Sequence, residues 1–339
     1  MNATWQAILP RDAAQSAAGG SLATEAQLAL DRNVACPLTD TAVLEVTGDD
    51  APDFLQGQLT NSVDRLSDAD APLAAWCTAK GRVIALFRVL GTATGYRLLV
   101  PAEIASETVK RLRMFVLRAD VRIDDVSERF AVVGLSGTDT PSLLAEVAGT
   151  PPSTPDSASR AGDLTVIRLR SPAPRFLVVA PATQMEELWR FVTRGHNAIS
   201  DNGWRLLAVR DGRPDIAAAV RDRFVPQMLN LEALEGLRYD KGCYPGQEVV
   251  ARMHYLGRLK RRMYRIIGSG ATAPPAPGSS VRDADGAEAG EIVVAAAGPA
   301  GRDEALAVLR IDAADAGARL QVEDTWFEVA DLPYPTETE

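Results

Sequence analysis

The residues best suited to chemistry lie in one segment of the sequence, RYDKGCYPGQEVVARMHYLGRLKRRMYR, at residues 238–265. Within it, Gly242 and Gly246 bracket a Cys-Tyr-Pro tripeptide that begins at Cys243. Glycine adopts backbone conformations that other residues take only at a cost, and the proline restricts the chain further. We therefore expect a tight turn of defined shape that carries a thiol.

The residues around this turn can change the reactivity of the thiol. Gln247 and Glu248 open the helical run EVVARM, and the free amides at the start of a helix stabilise an anion or a thiolate. Lys241 precedes Cys243 by two residues, and Arg252 comes within reach if the turn folds over the helix. Nearby cations lower the pKa of a thiol from ~8.5 towards neutrality, which favours a nucleophile or a redox group. A free cysteine can equally fill a turn as a small buried hydrophobic residue, so both interpretations stay open.

A basic cluster ends the segment, in a chain that is otherwise acidic. Its members are Arg258, Lys260, Arg261, Arg262 and Arg265. Such a run is commonly an exposed strand face, but it can also anchor an anionic ligand tail. The interleaved tyrosines are Tyr239, Tyr244, Tyr255 and Tyr264. Their rings suit stacking on a flat heterocycle or a nucleic-acid base.

Composition limits the classes of protein that this chain can belong to. Its 339 residues are 46% hydrophobic, which is enough for two or three domains with separate cores. The net charge of -9 makes the molecule as a whole repel nucleic acid and anionic membranes. No signal sequence and no apolar run of bilayer length is evident, which predicts a cytoplasmic protein without membrane association.

The cysteines argue against a metal centre within the chain. Cys36, Cys77 and Cys243 are dispersed and have no C-x-x-C spacing. Their odd number argues against a disulfide framework, and three separate thiols cannot supply the usual four ligands of a zinc site or an iron–sulfur cluster.

The hydrophobic patterns predict an α+β fold with several units. Residues 1–36 show no clear period and are predicted to be a flexible arm. Between residues 37 and 128, apolar strand-like runs flank a hairpin turn with the sequence TAKGR. Residues 129–204 read strand, helix, strand, strand, helix, which is typical of a ferredoxin-like domain. Short, evenly spaced strands then predict a small C-terminal β-barrel over residues 266–335.

The cysteine turn also carries a resemblance to a known family. KGCYPGQEVVAR is similar to the K-G-C-Y-x-G-Q-E-x-x-A-R signature of YgfZ-like proteins and their mitochondrial relatives, and it matches at every fixed position. Upstream, RFVPQMLNL resembles the F-I-P-Q-x-x-N-L segment of the family, and FLQGQLTNSV and WCTAKGR extend the resemblance. It covers most of the chain from about residue 40 to residue 265.

The resemblance implies a fold like that of the glycine-cleavage T-protein, with three domains around a central hole and a bound tetrahydrofolate or related reduced folate. It assigns residues 37–128 together with 205–265 to the folate-binding domain. The family supports the assembly or repair of iron–sulfur clusters in target enzymes, including enzymes that modify transfer RNA. Those enzymes or cluster-assembly proteins are therefore the expected partners.

The resemblance also implies site residues. Trp204 of NGWRLLAVRDGRP corresponds to the tryptophan of the family stretch W-L-A-L-N-I-E-A-G, and its indole can stack on a pterin. The glutamate that holds the pterin in the T-protein is matched with Asp211, a shorter carboxylate that can also be a plain turn residue before Gly212. The predicted folate contacts are Trp204, Asp211, Tyr244, Gln247, Glu248 and Arg252. Cys243 and Lys241 are the predicted catalytic pair.

One departure separates the chain from the T-protein. The strand after the hairpin carries an acidic residue there, but GRVIALFRV has Ile84 and Ala85. Without a group to orient or deprotonate the amine, aminomethyl transfer loses a contribution worth about 10² to 10⁴ in rate. We therefore predict an accessory protein with Cys243 as its essential thiol, in a turn that faces a central cavity shared with the pterin. The alternatives are a folate-dependent one-carbon transferase with an unknown acceptor and a module with weak contacts to RNA.

Overall fold

Three β-sheets form the framework of the fold, and the third is closed into a barrel. The computed structural model describes residues 3–9, 21–64, 66–269, 273–317 and 319–336. Helices occur together with runs of consecutive, mainly antiparallel strands in these ranges, so the predicted α+β class is confirmed.

The first sheet contains the predicted hairpin. Its strands are β2 (Thr41–Thr47), β3 (Leu73–Cys77), β4 (Val83–Thr92), β5 (Gly95–Pro101) and β6 (Arg122–Asp125). They are antiparallel in the order β3-β4-β5-β2-β6. Helices α3 (Ala51–Gln56) and α4 (Ala102–Arg113) cover one face, and a later segment of the chain covers the other. Strand β4 is therefore buried without a break from Val83 to Leu90, as its apolar run VIALF indicates.

The second sheet contains the three strands of the predicted ferredoxin-like unit and three additional ones. Its strands are β1 (Val34–Pro37), β7 (Phe130–Ser136), β8 (Ala158–Ala161), β9 (Leu164–Arg168), β10 (Arg175–Pro181) and β11 (Asn197–Ala198). Helices α5 (Thr140–Ala148) and α6 (Ala182–Val192) pack on one face. The order is β11-β1-β7-β10-β9-β8, so β1 is inserted from the N-terminal region between β11 and β7.

The flexible arm predicted for residues 1–36 is wrong for the parts that the structure describes. Helix α1 (Ala3–Ile8) buries Trp5, whose ring packs edge-on against Trp189 with 5.4 Å between centroids. Residues 10–20 of the predicted arm lie outside the described residues.

Helix α2 (Leu22–Asp31) belongs to the same region and packs against α7 (Asp201–Arg210). The carboxylate of Glu25 accepts hydrogen bonds from the hydroxyl of Ser200 at 2.7 Å and from the amide of Gly203 at 2.9 Å. Small residues let the two helices approach closely. The alanine-rich sequence of α2 lacks the wide apolar stripe of an amphipathic helix. Its hydrophobic pattern therefore did not predict a packed helix in this region.

The barrel closes the C-terminal part of the chain. Its strands are β12 (Arg261–Ser269), β13 (Ser280–Arg282), β14 (Glu288–Ala297), β15 (Arg302–Arg310), β16 (Leu320–Val322) and β17 (Thr325–Ala330). Helix α9 (Ile311–Asp315) follows β15. The barrel starts at residue 261 instead of the predicted 266, because Arg261, Arg262 and Arg265 of the basic cluster belong to its first strand. Ile266 of this strand faces the barrel interior, whereas Met263 packs against the segment that precedes the barrel.

A less regular segment joins α7 to the barrel and fills the space between the barrel and the first sheet. Besides α8 (Gln247–Leu256), it contains two short 3-10 turns, Ala218–Val220 and Pro226–Leu229. Phe224 and Leu234 bury their side chains there. Within the described ranges, the helices are all too short or too polar to cross a membrane.

Candidate functional site

The hairpin turn of the first sheet and the cysteine turn contact each other through two glycines. Gly81 and Gly246 have positive φ angles of 71° and 81°. A Cβ atom at Gly246 would lie 2.4 Å from the carbonyl oxygen of Thr78 and 2.5 Å from the Cα of Gly81. Since only glycine permits this approach, the sequences TAKGR and KGCYPGQE are packed together as one unit.

Lys241 fastens the cysteine turn to the end of α3. Its Nζ donates hydrogen bonds to the carbonyl oxygens of Gln56, Leu59 and Asn61 at 2.8, 2.5 and 2.9 Å. These bonds use all three N–H groups of the ammonium. Burial lowers the pKa of Lys241 to about 8, while the charge of Asp64 opposes this shift. The side chain therefore anchors the turn and has no N–H left to activate the thiol.

Tyr244 anchors the other side of the turn. Its ring is buried in the core between the first sheet and the barrel, and burial raises the pKa of its hydroxyl. Cys243, between these two anchors, is exposed. The interpretation of Cys243 as a buried hydrophobic residue is therefore wrong, because the two neighbouring side chains turn inward and the thiol turns to solvent.

The remaining predicted residues of this segment lie on α8. Gln247 is the first residue of the helix, which confirms the predicted run EVVARM. Glu248 and Arg252 are exposed, and their side chains form no hydrogen bond or ion pair with the residues that the structure describes. They share the exposed surface with Cys243.

A cavity of about 770 Å³ lies where the first sheet, the second sheet and the barrel meet. Its apolar wall includes Leu86 and Leu99 of the first sheet, Leu177 of the second sheet and Val293 of the barrel. Trp204 of α7 also lines it. This is the central position that the resemblance predicts for a ligand.

The cavity and the cysteine turn are separate places. None of residues 241–248 is among the described residues that line the cavity. The turn packs on the hairpin end of β4, whereas the cavity borders Leu86 and Arg88, three and five residues beyond Val83. At ~3.3 Å per residue, this is roughly 10 to 16 Å along the strand. The expectation that the thiol turn faces the cavity is therefore wrong.

Asp211 is held in a buried ion pair and does not line the cavity. Its Oδ2 accepts a hydrogen bond from the guanidinium of Arg175, and its Oδ1 accepts one from the hydroxyl of Ser171 at 2.7 Å. The same guanidinium lies over the ring of Trp204, 4.1 Å from its centroid. Both carboxylate oxygens are thus engaged, and one face of Trp204 is covered.

The alignment of Asp211 with the family glutamate is also wrong by one residue. When W-L-A-L-N-I-E-A-G is placed on Trp204 without a gap, its glutamate falls on Arg210 and its alanine on Asp211. The Nε and Nη2 atoms of Arg210 bind Glu304 of the barrel at 3.0 and 2.6 Å. Neither position offers a carboxylate to the cavity.

Other charged residues line the cavity, and sequence reasoning missed them. Asp201 accepts a hydrogen bond from the hydroxyl of Thr39 at 3.0 Å, and Asp215 accepts one from the amide of Ile216 at 2.9 Å. Burial raises the pKa of Asp215 although its side chain is accessible from the cavity. In the sequence these residues appear only as acidic residues near the ends of an apolar helical run. Acidic residues are common at helix ends, so their position did not indicate a binding site.

Asp201 gives a testable pH dependence. Burial and the charge of Asp40 raise the pKa of Asp201 to about 6 from 3.8, so the folded protein takes up this proton before the unfolded chain does. The ionised group therefore destabilises the fold above pH 6, and this effect disappears as the pH falls towards 4. We expect Asp201→Asn to raise the free energy of unfolding at pH 7 by on the order of 2 kcal/mol, with the gain shrinking towards pH 4. Urea unfolding of both proteins across this range measures the difference; a constant difference would contradict the assignment.

The basic cluster is largely part of the barrel surface. Arg261 pairs with Glu288 at 3.1 Å, and Arg265 pairs with Glu304 at 2.7 Å. Arg258 and Lys260 are exposed. At least two of the five cations are therefore paired within the barrel, which favours the interpretation as a strand face.

The chain is similar to known proteins in sequence and in fold. The family model of the CAF17 C-terminal beta-barrel domain matches residues 260–333. The tRNA-modifying protein YgfZ of Colwellia psychrerythraea is 31% identical over 230 residues, which cover 67% of this chain and 69% of that protein. The protein of the same name from Yersinia pseudotuberculosis is 31% identical over 239 residues, which cover 70% of this chain and 72% of the relative.

The fold resembles that of the glycine cleavage system aminomethyltransferase T from Bartonella henselae, with a TM-score of 0.74. The match covers 92% of this chain and 89% of that one at 13% sequence identity, so it shows the fold alone. The predicted T-protein-like fold is confirmed by this match and by the closed barrel. The sequence relatives are closer and cover two thirds of both chains, and on that basis this protein belongs to the YgfZ family.

Proposed function

We propose that this chain is a folate-binding accessory protein that supports the assembly or repair of iron–sulfur clusters in target enzymes, including enzymes that modify tRNA. The proposal places the chemistry at Cys243. The observation that carries it is an exposed thiol on a turn that is fixed on both sides, by the three hydrogen bonds of Lys241 and by the buried ring of Tyr244. A loop that served only to connect two elements would not need such anchors.

The position of the thiol favours a macromolecular partner. Cys243 lies on the outer surface together with Glu248 and Arg252, whose charged groups are free of partners within the described residues. A target protein or a cluster-assembly protein can reach this surface directly, and the iron–sulfur cluster is then the cargo of the reaction. These partners and the cytoplasmic location that they require are part of the proposal.

The residues of the central cavity fit a reduced folate. Its volume of about 770 Å³ is in the ordinary range of ligand pockets, roughly 300 to 1,000 Å³. Leu86, Leu99 and Trp204 provide apolar surface for a pterin, and the carboxylates of Asp201 and Asp215 can accept hydrogen bonds from its amino and ring N–H groups. When bound, a reduced folate supplies a carrier for a one-carbon unit. Asp211 does not take part, since both of its oxygens are engaged.

Two apolar residues of strand β4 argue against aminomethyl transfer. Ile84 and Ala85 are buried in the core of the first sheet, so this part of the chain brings no acid or base to a reacting amine. The distance between the cavity and the thiol also separates folate from Cys243. An accessory role therefore has better support than one-carbon transfer, although turnover of labelled formyl- or methylene-tetrahydrofolate by the purified chain would reverse this preference.

The folate site is tested by titrating the purified protein with tetrahydrofolate and following tryptophan fluorescence. Because Trp204 lines the cavity, we expect saturable quenching in the wild type and loss of most of that quenching in Trp204→Phe. The matched control is Trp326→Phe, which removes a half-exposed indole on the barrel and should leave the quenching unchanged. Equal quenching in Trp204→Phe and the wild type, or no saturable signal in the wild type, would exclude a folate at this position.

A further inference from the structure

The central cavity carries charges of both signs, and several of them already have partners. Arg88 donates to the carbonyl oxygen of Ala71 at 2.7 Å and to the carboxylate of Asp156 at 2.6 Å. Glu103 accepts from the amide of Ala218 at 2.9 Å. Asp201 and Asp215 likewise have the protein donors described above. These groups are held in place by the protein itself.

Arg213 differs from them. It lines the cavity, and its guanidinium makes no hydrogen bond or ion pair with any of the described residues. The residue is partly buried in the cavity wall. Burial, together with the positive charge of Arg175, lowers the pKa of Arg213 to about 9, although the charges of Asp211 and Asp215 oppose this shift. The group is still protonated at pH 7, so a positive charge stands in the cavity wall with no partner for its five N–H donors.

An arrangement of this kind points to a bound anion. A charged group that is partly withdrawn from water is ordinarily hydrogen-bonded, because its N–H donors lose part of their hydration, and no described residue accepts from the guanidinium of Arg213. Arg213 faces a cavity, so the missing partner can come from a ligand. The planar guanidinium fork matches the two oxygens of a carboxylate or of a phosphate.

The surrounding charges favour a carboxylate. The same cavity is lined by four carboxylates and three guanidinium groups, those of Asp40, Glu103, Asp201, Asp215, Arg88, Arg205 and Arg213, so negative groups outnumber positive ones. Their combined field repels a phosphate dianion more strongly than a carboxylate with a single charge. We propose that Arg213 binds a carboxylate of the glutamate tail of the cavity ligand. This inference rests on the proposed function, in which that ligand is a reduced folate.

The test compares two ligands that differ only in the tail. Tetrahydrofolate carries the glutamate, whereas tetrahydropteroate lacks it and is used as its neutral methylamide, because its free benzoate carboxylate could itself bind Arg213. We expect the wild type to bind tetrahydrofolate at least about tenfold more tightly, because hydrogen bonds between charged groups are strong in a cavity. Arg213→Met should remove this preference while leaving the affinity for tetrahydropteroate unchanged. The control Arg302→Met, an exposed arginine of the barrel, should behave as the wild type.

The outcomes separate the two proposals. If Arg213→Met and Arg213→Gln bind tetrahydrofolate as tightly as the wild type, or weaken both ligands equally, the tail contact is excluded. If the wild type binds neither pteridine, the folate proposal fails. Binding of glutarate, a dicarboxylate without a pterin, then tests whether Arg213 forms an anion site. A rise in the thermal unfolding midpoint with glutarate in the wild type but not in Arg213→Met supports that site; equal shifts or no shift overturn it. Removing an unpaired charge should not lower the midpoint of the variant without ligand.

Discussion

Replacement of Cys243 by alanine should abolish the support of iron–sulfur enzymes in cells while leaving the fold intact. In the proposed function the thiol is the group presented to a partner, whereas its side chain contributes little to packing because it is exposed. We expect the free energy of unfolding to change by no more than about 0.5 kcal/mol. The measurement is the content of thiolated nucleosides in the tRNA of cells that depend on this chain, together with the unfolding midpoint of the purified variant.

Two further variants distinguish the thiol from its surroundings. Cys243→Ser keeps the size and polarity of the side chain but provides no thiolate, so it should be as inactive as the alanine variant. Cys77→Ala removes a different sulfur, which is buried and whose pKa burial raises to about 12, and it should keep full activity. Normal nucleoside thiolation with Cys243→Ala would take the thiol out of the mechanism.

Gly246→Ala should disrupt the cysteine turn. The φ angle of Gly246 is 81°, a left-handed conformation that costs an alanine roughly 1 to 2 kcal/mol. In addition, the new Cβ would lie 2.4 Å from the carbonyl oxygen of Thr78 and 2.5 Å from the backbone of Gly81, so backbone and not a flexible side chain must move. Together these effects should lower the free energy of unfolding by at least about 3 kcal/mol. Urea unfolding measures the loss.

Gly242→Ala is the matched control within the same turn. A Cβ at this position meets no atom within 4 Å, and the backbone does not adopt a positive φ. The substitution should therefore change stability by no more than about 0.5 kcal/mol and leave Cys243 as reactive towards a thiol reagent as in the wild type. Equal effects of the two substitutions would show that the contact between Gly246 and Gly81 does not hold the turn.

The parts of the structure that could be predicted from sequence are those with a local signal. The apolar, strand-like runs on either side of TAKGR predicted the hairpin, and the strand and helix patterns of residues 129–204 predicted the ferredoxin-like unit. The two glycines around Cys243 predicted a turn of defined shape, because the backbone angles of a turn depend on the local residue types. Gly246 has the positive φ angle that favours glycine. The resemblance then identified the fold, which no single period could do.

The contacts that the sequence did not predict join distant segments. Lys241 binds carbonyl groups about 180 residues earlier in the chain, and nothing in its neighbourhood indicates that its donors are used there. The cavity charges Asp215 and Arg213 matter only because three sheets meet around them. The assignment of Asp211 failed for a similar reason, since its partner Arg175 is 36 residues away.

The placement of β1 has a consequence for synthesis of the protein on the ribosome. Val34 of β1 pairs with Ser136 on one side and with Asn197 on the other. The first of these partners is synthesised about 100 residues after β1, and the second more than 160 residues after it. The strands of residues 41–125 can pair early, because all the strands of that sheet lie within this stretch, although one of its faces is covered only by a later segment. The opening strand must wait, unpaired, until the next unit is made. Separating the two units by a cut near residue 128 would accordingly leave that strand without either partner and invite aggregation.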